Sequence, residues 1–498
     1  MSAQPRIEHV PDDQPIDGGT ATTVPVTARE PRWMIAVLAL LALGLTVRVG
    51  TRAVGDPDIW WHLKTGQYVL DGGQFSGPDP WVPFATHPFV LTQWLPEVVA
   101  QKVYQLAGLP GVAWLRCAAM LTLLGALVWV CRTVADSVPA LIAALAAMLG
   151  AGASLTERPQ LVSFILLAVT LAAWWRSTED LRPRWWLIPL TWVWACSHGL
   201  WPVGLAVGGV VIFGLAVDRR LDRRTALRLT LVPALSLVAA ALTPVGPRLV
   251  LSSFDVSTAA APFVQEWQPT SARNPFALIT LAMIALVVLT WVRSRSVPPT
   301  WQIALAAIAF VATLIMYRTV AVGAVIAAPL FASTLQQQRF TPAKALTRQA
   351  VFTWLGLSLA AVLVAAPIAG TMAQKPFGVP EGLRPQLAAL PAKTVVLNQF
   401  AISGWLLWAE PHLIPVADLR SEVYSSEYLT AYRNNESVGP GWQSFITRTG
   451  ATAALLSIDS ALADALQRQL HWRITGRDSL GRDSLGGDNG YLLLVAPR

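Results

Sequence analysis

The sequence predicts an α-helical polytopic membrane protein that ends in a small α/β domain. Three observations carry this. Of 498 residues, 54% are hydrophobic and only 13% charged, with a mean hydropathy of +0.49, where soluble domains carry about 25% charged residues. Apolar runs near the ~20 residues that cross a bilayer recur along the chain. Beyond residue 380 the pattern changes to short strand-like runs separated by helical ones. An ordinary cytosolic enzyme is excluded.

Residues 1–32 mix Pro, Asp, Thr and Gly without apolar periodicity and are expected to form a disordered cytoplasmic tail. The tail is too long and too acidic for a signal-peptide n-region, so the run 33–51 is expected to be an uncleaved anchor. Further spans are expected at 111–131, 138–155, 159–175, 185–198, 201–217, 228–245, 275–292, 300–317, 319–335 and 350–371, about eleven in all. The run 185–198 is short and can form one broken unit with 201–217. A transmembrane core over 33–372 results, with long loops at 51–110 and 246–274 and a separate domain over 380–498.

The arginines set the orientation. Arg176, Arg182 and Arg184 share one connection; Arg219, Arg220, Arg223 and Arg224 fill the next on that side; Arg293 with Arg295, then Arg339, Lys344 and Arg348, follow in alternation. Short loops rich in Lys and Arg stay cytoplasmic, so the N-terminus is expected inside and the C-terminal domain outside the cell membrane. The net charge of +8 is thereby a topology signal and not a nucleic-acid footprint. Cys117, Cys131 and Cys196 lie in or beside spans and read as small buried hydrophobes.

Span centres are almost free of ionisable groups, whereas transporters place such groups at mid-bilayer. The polar residues gather at the outer span ends instead: Asp56, Asp58, His62, Arg116, Glu157, Arg158, His198, Glu266, Arg273 and Arg318. Long exterior loops of this kind usually carry function. Arg158 and Arg318 sit at headgroup height, where an arginine fork suits phosphate oxygens, with His198 beside them; snorkelling or pairing with neighbours such as Glu157 is the structural alternative. The loop around Glu266-Trp267 is expected to cover the site.

Directly after the first span comes Gly55-Asp56-Pro57-Asp58-Ile59-Trp60-Trp61-His62-Leu63-Lys64-Thr65-Gly66. Asp-Pro opens a helix well, with Asp56 as cap and Asp58 complementing the dipole, and Trp60 and Trp61 suit the aromatic belt. The same geometry puts Asp58 and His62 on one helix face and Asp56 at the water–membrane boundary. A carboxylate there can serve as general base toward an acceptor hydroxyl, or hold a divalent cation against a phosphate. Asp56 is favoured for the chemistry, with Asp58 and His62 in support.

The run DPDIWWHLKTG, followed by DPWVPFATHPFVLTQWLPE, ERPQLVS, WACSHGLWPVG, LTPVGPRL, EWQP and DLRSEVY, resembles bacterial members of the GT-C superfamily of membrane glycosyltransferases over most of residues 33–498. The resemblance implies a GT-C-like fold, a polyprenyl-phosphate-linked sugar donor, and an acidic catalytic residue in the first exterior loop, here Asp56 or Asp58. The candidate substrate-binding residues are Trp61, His62, His87, Gln93, Arg158, His198, Glu266 and Arg318. Mg or Mn is a candidate cofactor, with Asp56 and Asp58 as candidate ligands. Two departures stand out: relatives usually show His-Glu-Trp where this chain has Thr92-Gln93-Trp94, and Asn-x-His-Gly where it has Cys196-Ser197-His198-Gly199.

In the last hundred or so residues, strands are expected at Thr394–Leu397, Leu413–Ala417, Ala451–Ile458 and Tyr491–Val495, and helices near Ser426–Arg433, Gly441–Thr449 and Ser460–Leu470, giving a partly parallel sheet. Asp418 and Arg420 follow a strand end, where such sheets place ligands, though a structural ion pair is the simpler explanation. The tandem GRDSL at 476–485 reads as a hairpin or loop insertion. Two functions fit. One is transfer of a sugar from a polyprenyl-phosphate donor to an extracytoplasmic glycan, lipid or protein. The other is a non-catalytic membrane protein that binds lipid-linked glycans or scaffolds envelope assembly, for which the aspartates serve only as caps on a shallow surface.

Overall fold

The computed structural model describes residues 30–250, 252, 263–271, 273–294, 297–339, 347–478 and 490–497. The expected tail, most of the second long loop and most of the GRDSL repeat lie outside the described residues. Every expected span corresponds to a helix. The chain runs through α1 (Arg32–Gly50), α2 (Ile59–Leu70), the two-residue strands β1 (Ser76–Gly77) and β2 (Phe89–Val90), then α3 (Trp94–Arg132), α4 (Ser137–Gly150), α5 (Gln160–Asp180) and α6 (Leu187–Ala195). It continues with α7 (Trp201–Val217), α8 (Arg223–Ala241), α9 (Pro275–Ser294), α10 (Thr300–Ile315), α11 (Val320–Gln337) and α12 (Arg348–Met372). Among the described residues seven helices are long and apolar enough to cross a membrane by themselves, and the protein is a multi-pass membrane protein. α6, with nine residues, is shorter than a span, and residues 196–200 separate it from α7.

The first loop is shorter than expected. α3 begins at Trp94, inside the segment read as loop, and runs through a kink at Gly108 (φ 62°, ψ −151°) followed by Pro110. Left-handed backbone is open to glycine without steric cost, and Pro110 lacks the N–H an unbroken helix would use. The kink separates an arm, residues 94–107, from the span. α2 lies along that arm so closely that a Cβ on Gly66 would stand 2.2 Å from the Glu97 carbonyl oxygen.

α11 is apolar on every side and sits at the centre of the bundle, as an all-round hydrophobic helix must. Val320 through Ala332 are all buried, packed among α4, α5 and α10. A Cβ on Gly323 would meet Thr313 Oγ1 at 2.2 Å, so glycine lets α10 close on it. α12, by contrast, buries only Ala365 and Ala369 and leaves Phe352, Leu355, Leu359 and Leu363 exposed, a face suited to lipid.

The C-terminal domain comprises α13 (Arg384–Ala388), β3 (Val395–Asn398), α14 (Ser403–Ala409), β4 (Ile414–Pro415), α15 (Ser426–Glu436), α16 (Trp442–Thr449), β5 (Ala453–Ser457), α17 (Ala461–Leu470), β6 (Arg473–Asp478) and β7 (Tyr491–Val495). The sheet order is β4-β3-β5-β7-β6. β3 pairs parallel with β4 and β5, and β7 pairs antiparallel with β5 and β6, so the sheet is partly parallel as expected. β6 corrects the reading of the repeat. Its first Gly476-Arg477-Asp478 is strand, paired with Leu493, Leu492 and Tyr491. Pairing with the apolar β7 imposes strand on a polar run that has no alternation to announce it.

Two cores join this domain to the bundle. Val54, Ile59, Trp60 and Leu63 pack with Leu383, Trp405, Leu406 and Leu455, and Val82, Phe89 and Leu91 of the first loop pack with Tyr424, Phe445 and Leu456. The loop that follows α1 is thus held from both sides.

Candidate active site

The helix ends that face the C-terminal domain enclose a cavity of about 440 Å³, and its walls include Asp58, Trp61, His62, Gln93, Glu97, Arg158, His198, Glu266, Arg318 and Glu422. Eight of the ten residues singled out from sequence line it. Asp56 lies just behind the wall, and His87 lies outside, exposed on the first loop with its Nδ1 3.1 Å from the Glu422 carbonyl oxygen.

The entrance to α2 is built from charge. Buried Arg116 on α3 donates from Nε to the Gly50 carbonyl at 2.8 Å and binds the Arg52 carbonyl and the Glu157 carboxylate, which fixes the end of α1 against the 151–159 connection. Asp56 then accepts from the Asp58 N–H at 3.0 Å, the local turn that opens α2. The Arg158 guanidinium reaches across: Nε lies 2.9 and 2.8 Å from the two Asp56 oxygens and 3.1 Å from Asp58 Oδ2, while Nη1 lies 2.7 Å from both oxygens of Glu266.

One cation therefore serves three carboxylates, unequally. Burial pushes the Asp56 carboxyl up, but Arg158 and the Asp58 N–H outweigh it and hold Asp56 below the ordinary range. Burial dominates at Asp58, with the Asp56 charge adding to it and Arg158 opposing it, so Asp58 is raised. Arg158 itself is pushed well up, because the three carboxylates overcome the cost of burying it. Environments that pull two neighbouring acids apart are the usual way one is kept ionised and the other is tuned toward neutrality.

On the opposite wall, Arg318 occupies the turn between α10 and α11. Its Nη2 donates to His198 Nε2 at 3.1 Å, and its guanidinium lies 5.0 Å from the Trp267 ring centroid. Among the described residues no carboxylate lies within ion-pair distance of it. A guanidinium only donates, so His198 Nε2 accepts from Arg318; Nδ1 lies 2.9 Å from Ser163 Oγ and 3.3 Å from the Leu200 backbone N–H, and Ser163 accepts in turn from the Trp194 indole N–H at 2.7 Å. Burial first, then the Arg318 charge, holds His198 well below its ordinary range. Backbone bonds from Tyr317 to Gln268 (3.0 Å) and from Thr270 to Leu314 (3.1 Å) fasten the Glu266-Trp267 loop beside this turn.

The floor and far wall hold Glu97, which the sequence reading did not single out, and the Asp418 and Arg420 pair, which it did. Glu97, on the α3 arm, accepts from His62 Nδ1 at 2.8 Å with both side chains buried; it lies three residues past Trp94, where no local motif marks it. Arg420 binds Asp418 and Asp79, all three buried, and lies 4.7 Å over the Trp81 ring. The expected structural ion pair of Asp418 and Arg420 is present, extended by an aspartate from the first loop. Arg273 is exposed.

A divalent cation does not fit the Asp56 and Asp58 oxygens as they stand. Both Asp56 oxygens and one Asp58 oxygen already face guanidinium nitrogen, and a cation at the 2.0–2.6 Å typical of oxygen ligation would be pressed against a like charge. Among the described residues no cluster of three or more His, Cys, Asp or Glu side chains is arranged to hold a metal.

No protein-family model and no curated protein matches the sequence. Among solved structures, the chain is similar to the archaeal oligosaccharyltransferase AglB from Archaeoglobus fulgidus in complex with an inhibitory peptide and a dolichol-phosphate, with TM-score 0.55 and 13% identity over 86% of this chain and 69% of that one. It is also similar to ArnT from Cupriavidus metallidurans bound to undecaprenyl phosphate, with TM-score 0.50 and 16% identity over 94% of this chain and 99% of that one. At such identities the likeness is one of fold alone, and the chain shares the fold of these two proteins.

Proposed function

We propose that the protein is a membrane glycosyltransferase that moves a sugar from a polyprenyl-phosphate donor to an extracytoplasmic glycan, lipid or protein. The observation that carries this is the division of charge in the cavity. Among the described residues, half-buried Arg318 bonds to a neutral imidazole and lies over an indole with no carboxylate at ion-pair distance, and across from it Asp58 is a carboxylate with one oxygen engaged by Arg158. An acid-facing acceptor site and a cationic phosphate site in one cavity are what glycosyl transfer from a lipid phosphate requires. Both neighbouring structures hold a polyprenyl-type phosphate.

In this reading Asp58 takes the proton of the acceptor hydroxyl as its oxygen bonds to the anomeric carbon. The bond from that carbon to the phosphate oxygen breaks, and Arg318, positioned by His198, stabilises the charge left on the lipid phosphate. Asp56, favoured from sequence, has both oxygens on Arg158 and serves as anchor; its neighbour at the cavity wall has the freer oxygen. Trp61, His62, Gln93 and Glu266 shape the walls around donor and acceptor. The cavity and C-terminal domain face the extracytoplasmic side, since the arginine-rich connections join the opposite helix ends.

A deletion strain tests the reading. Lipid extracts should accumulate a polyprenyl-phosphate-linked sugar, which mass spectrometry detects. Wild-type protein should clear it, and Arg318→Ala at equal membrane level should not, since a charge-assisted bond to phosphate is worth about 1.5–3 kcal/mol. An unchanged lipid-linked pool counts against transfer.

A further inference from the structure

Carboxylates that converge on one point commonly mark a divalent cation. Here three of them, from segments far apart in sequence, converge on a side chain. Asp56 and Asp58 come from the loop after α1, Glu266 from the loop before α9, and Arg158 from the connection before α5. The guanidinium stands within 2.9 Å of both Asp56 oxygens, 3.1 Å of one Asp58 oxygen and 2.7 Å of both Glu266 oxygens. We propose that Arg158 is a resident cation that occupies the position of a divalent metal ion in this site.

The chemistry of arginine suits that role. Its fork matches carboxylates edge-on, its charge persists at any accessible pH, and it is less strongly hydrated than an ammonium, so it is desolvated more readily. Covalent attachment makes its occupancy independent of metal supply. The arrangement also accounts for the shape of the wall: Nε points to the start of α2 and Nη1 to the Glu266 loop, so one planar group ties the acceptor side to the loop beside Arg318. A metal ion would orient the same carboxylates but would exchange with solvent. Arg158 acts here as a positioning residue for Asp58 and not as a group that touches the reacting atoms.

The proposal rests on the glycosyltransferase reading only for what the site is used for; the cation itself is tested without it. Purified full-length protein in detergent is titrated with Mn2+ and bound ion is counted by electron paramagnetic resonance. Wild-type protein is expected to show no stoichiometric Mn2+. Arg158→Ala exposes three carboxylates and is expected to gain a site at least about tenfold tighter than any in the wild type, and Asp56→Asn in that background should remove it. One Mn2+ per wild-type chain that Asp56→Asn abolishes overturns the proposal. So does a monodisperse Arg158→Ala protein that gains no site. Should Arg158→Ala fail to fold, the wild-type titration decides alone. Binding of undecaprenyl phosphate to the wild type, compared in EDTA and in Mn2+, supplies the second arm. Equal binding in both supports the resident cation, and binding only with Mn2+ overturns it. No binding in either, with no Mn2+ bound, supports the resident cation and counts against the glycosyltransferase reading.

Discussion

At Asp56 both carboxylate oxygens meet Arg158, whereas Asp58 offers it one; burial raises both acids, and Arg158 outweighs it only at Asp56, so Asp56 is held low and Asp58 is raised. This has a consequence for pH. A base works in its ionised form, so transfer should fall as pH drops through the raised value of Asp58, above the 3.8 of an ordinary aspartate. Asp56 is held low, so the stability its ion pair provides is present above the unfolded value and lost only as pH falls through its depressed one. Activity should therefore disappear on acidification before the fold does. A pH profile of kcat/KM beside a thermal-melt series checks this, and Asp58→Asn should cost roughly 10²–10⁴-fold at neutral pH. An acid limb at or below the ordinary aspartate value would remove Asp58 from the role of base.

The element that presents both acids is α2, and its position depends on the arm of α3. Gly66 lets the two backbones touch, His62 meets Glu97, and Gln67 accepts from Gln101 at 2.8 Å and Gln105 at 2.9 Å. Gly66→Ala should drive the helices apart, since a Cβ 2.2 Å from a carbonyl oxygen can be accommodated only by moving backbone. Overpacking of this kind typically costs about 1–3 kcal/mol, and the shift carries Asp58 and His62 with it. The expected outcome is a lower melting temperature in detergent together with loss of transfer. Gly125 has nothing within 4 Å of the same test position, so Gly125→Ala is the control that should leave both unchanged.

Across the whole molecule, the first loop belongs as much to the C-terminal domain as to the bundle. Besides the shared apolar core, Thr86 and His87 donate backbone N–H groups to the Val423 carbonyl at 2.8 and 3.0 Å, and Arg420 joins Asp79 to Asp418 beneath the cavity. Burial raises Arg420's cost, and the two aspartates more than offset it, so its guanidinium is held well above the ordinary value. Removing one member of such a cluster strands the others in low dielectric, typically at about 3–5 kcal/mol. Arg420→Ala should loosen the domain from the loop, and limited proteolysis should then cut within residues 71–93, which in the wild type should resist cleavage. Equal cleavage of the two proteins would show that the apolar contacts alone suffice.

Much was legible in the chain itself. The place of the apolar helices follows from burying apolar side chains in a bilayer, which reads off as length and period along one dimension, and the strand–helix alternation after residue 380 follows from the same local patterns. The cavity lining was legible where polar residues break an apolar context, as at Asp58, His62, Arg158, His198 and Arg318. Tertiary structure alone decided which charges pair. Asp56 and Arg158 lie 102 residues apart, and Arg420 and Asp79 lie 341 apart, so no spacing rule connects them; among the described residues Arg158 pairs with carboxylates and Arg318 with none, though both arginines sit at the ends of spans. Glu97 and β6 were hidden for a related reason: a buried carboxylate is marked by the imidazole that folds against it, and an edge strand by the strand it pairs with. Local pattern encodes what a segment does against solvent or lipid, and pairing energies depend on distances that exist only once the chain has folded.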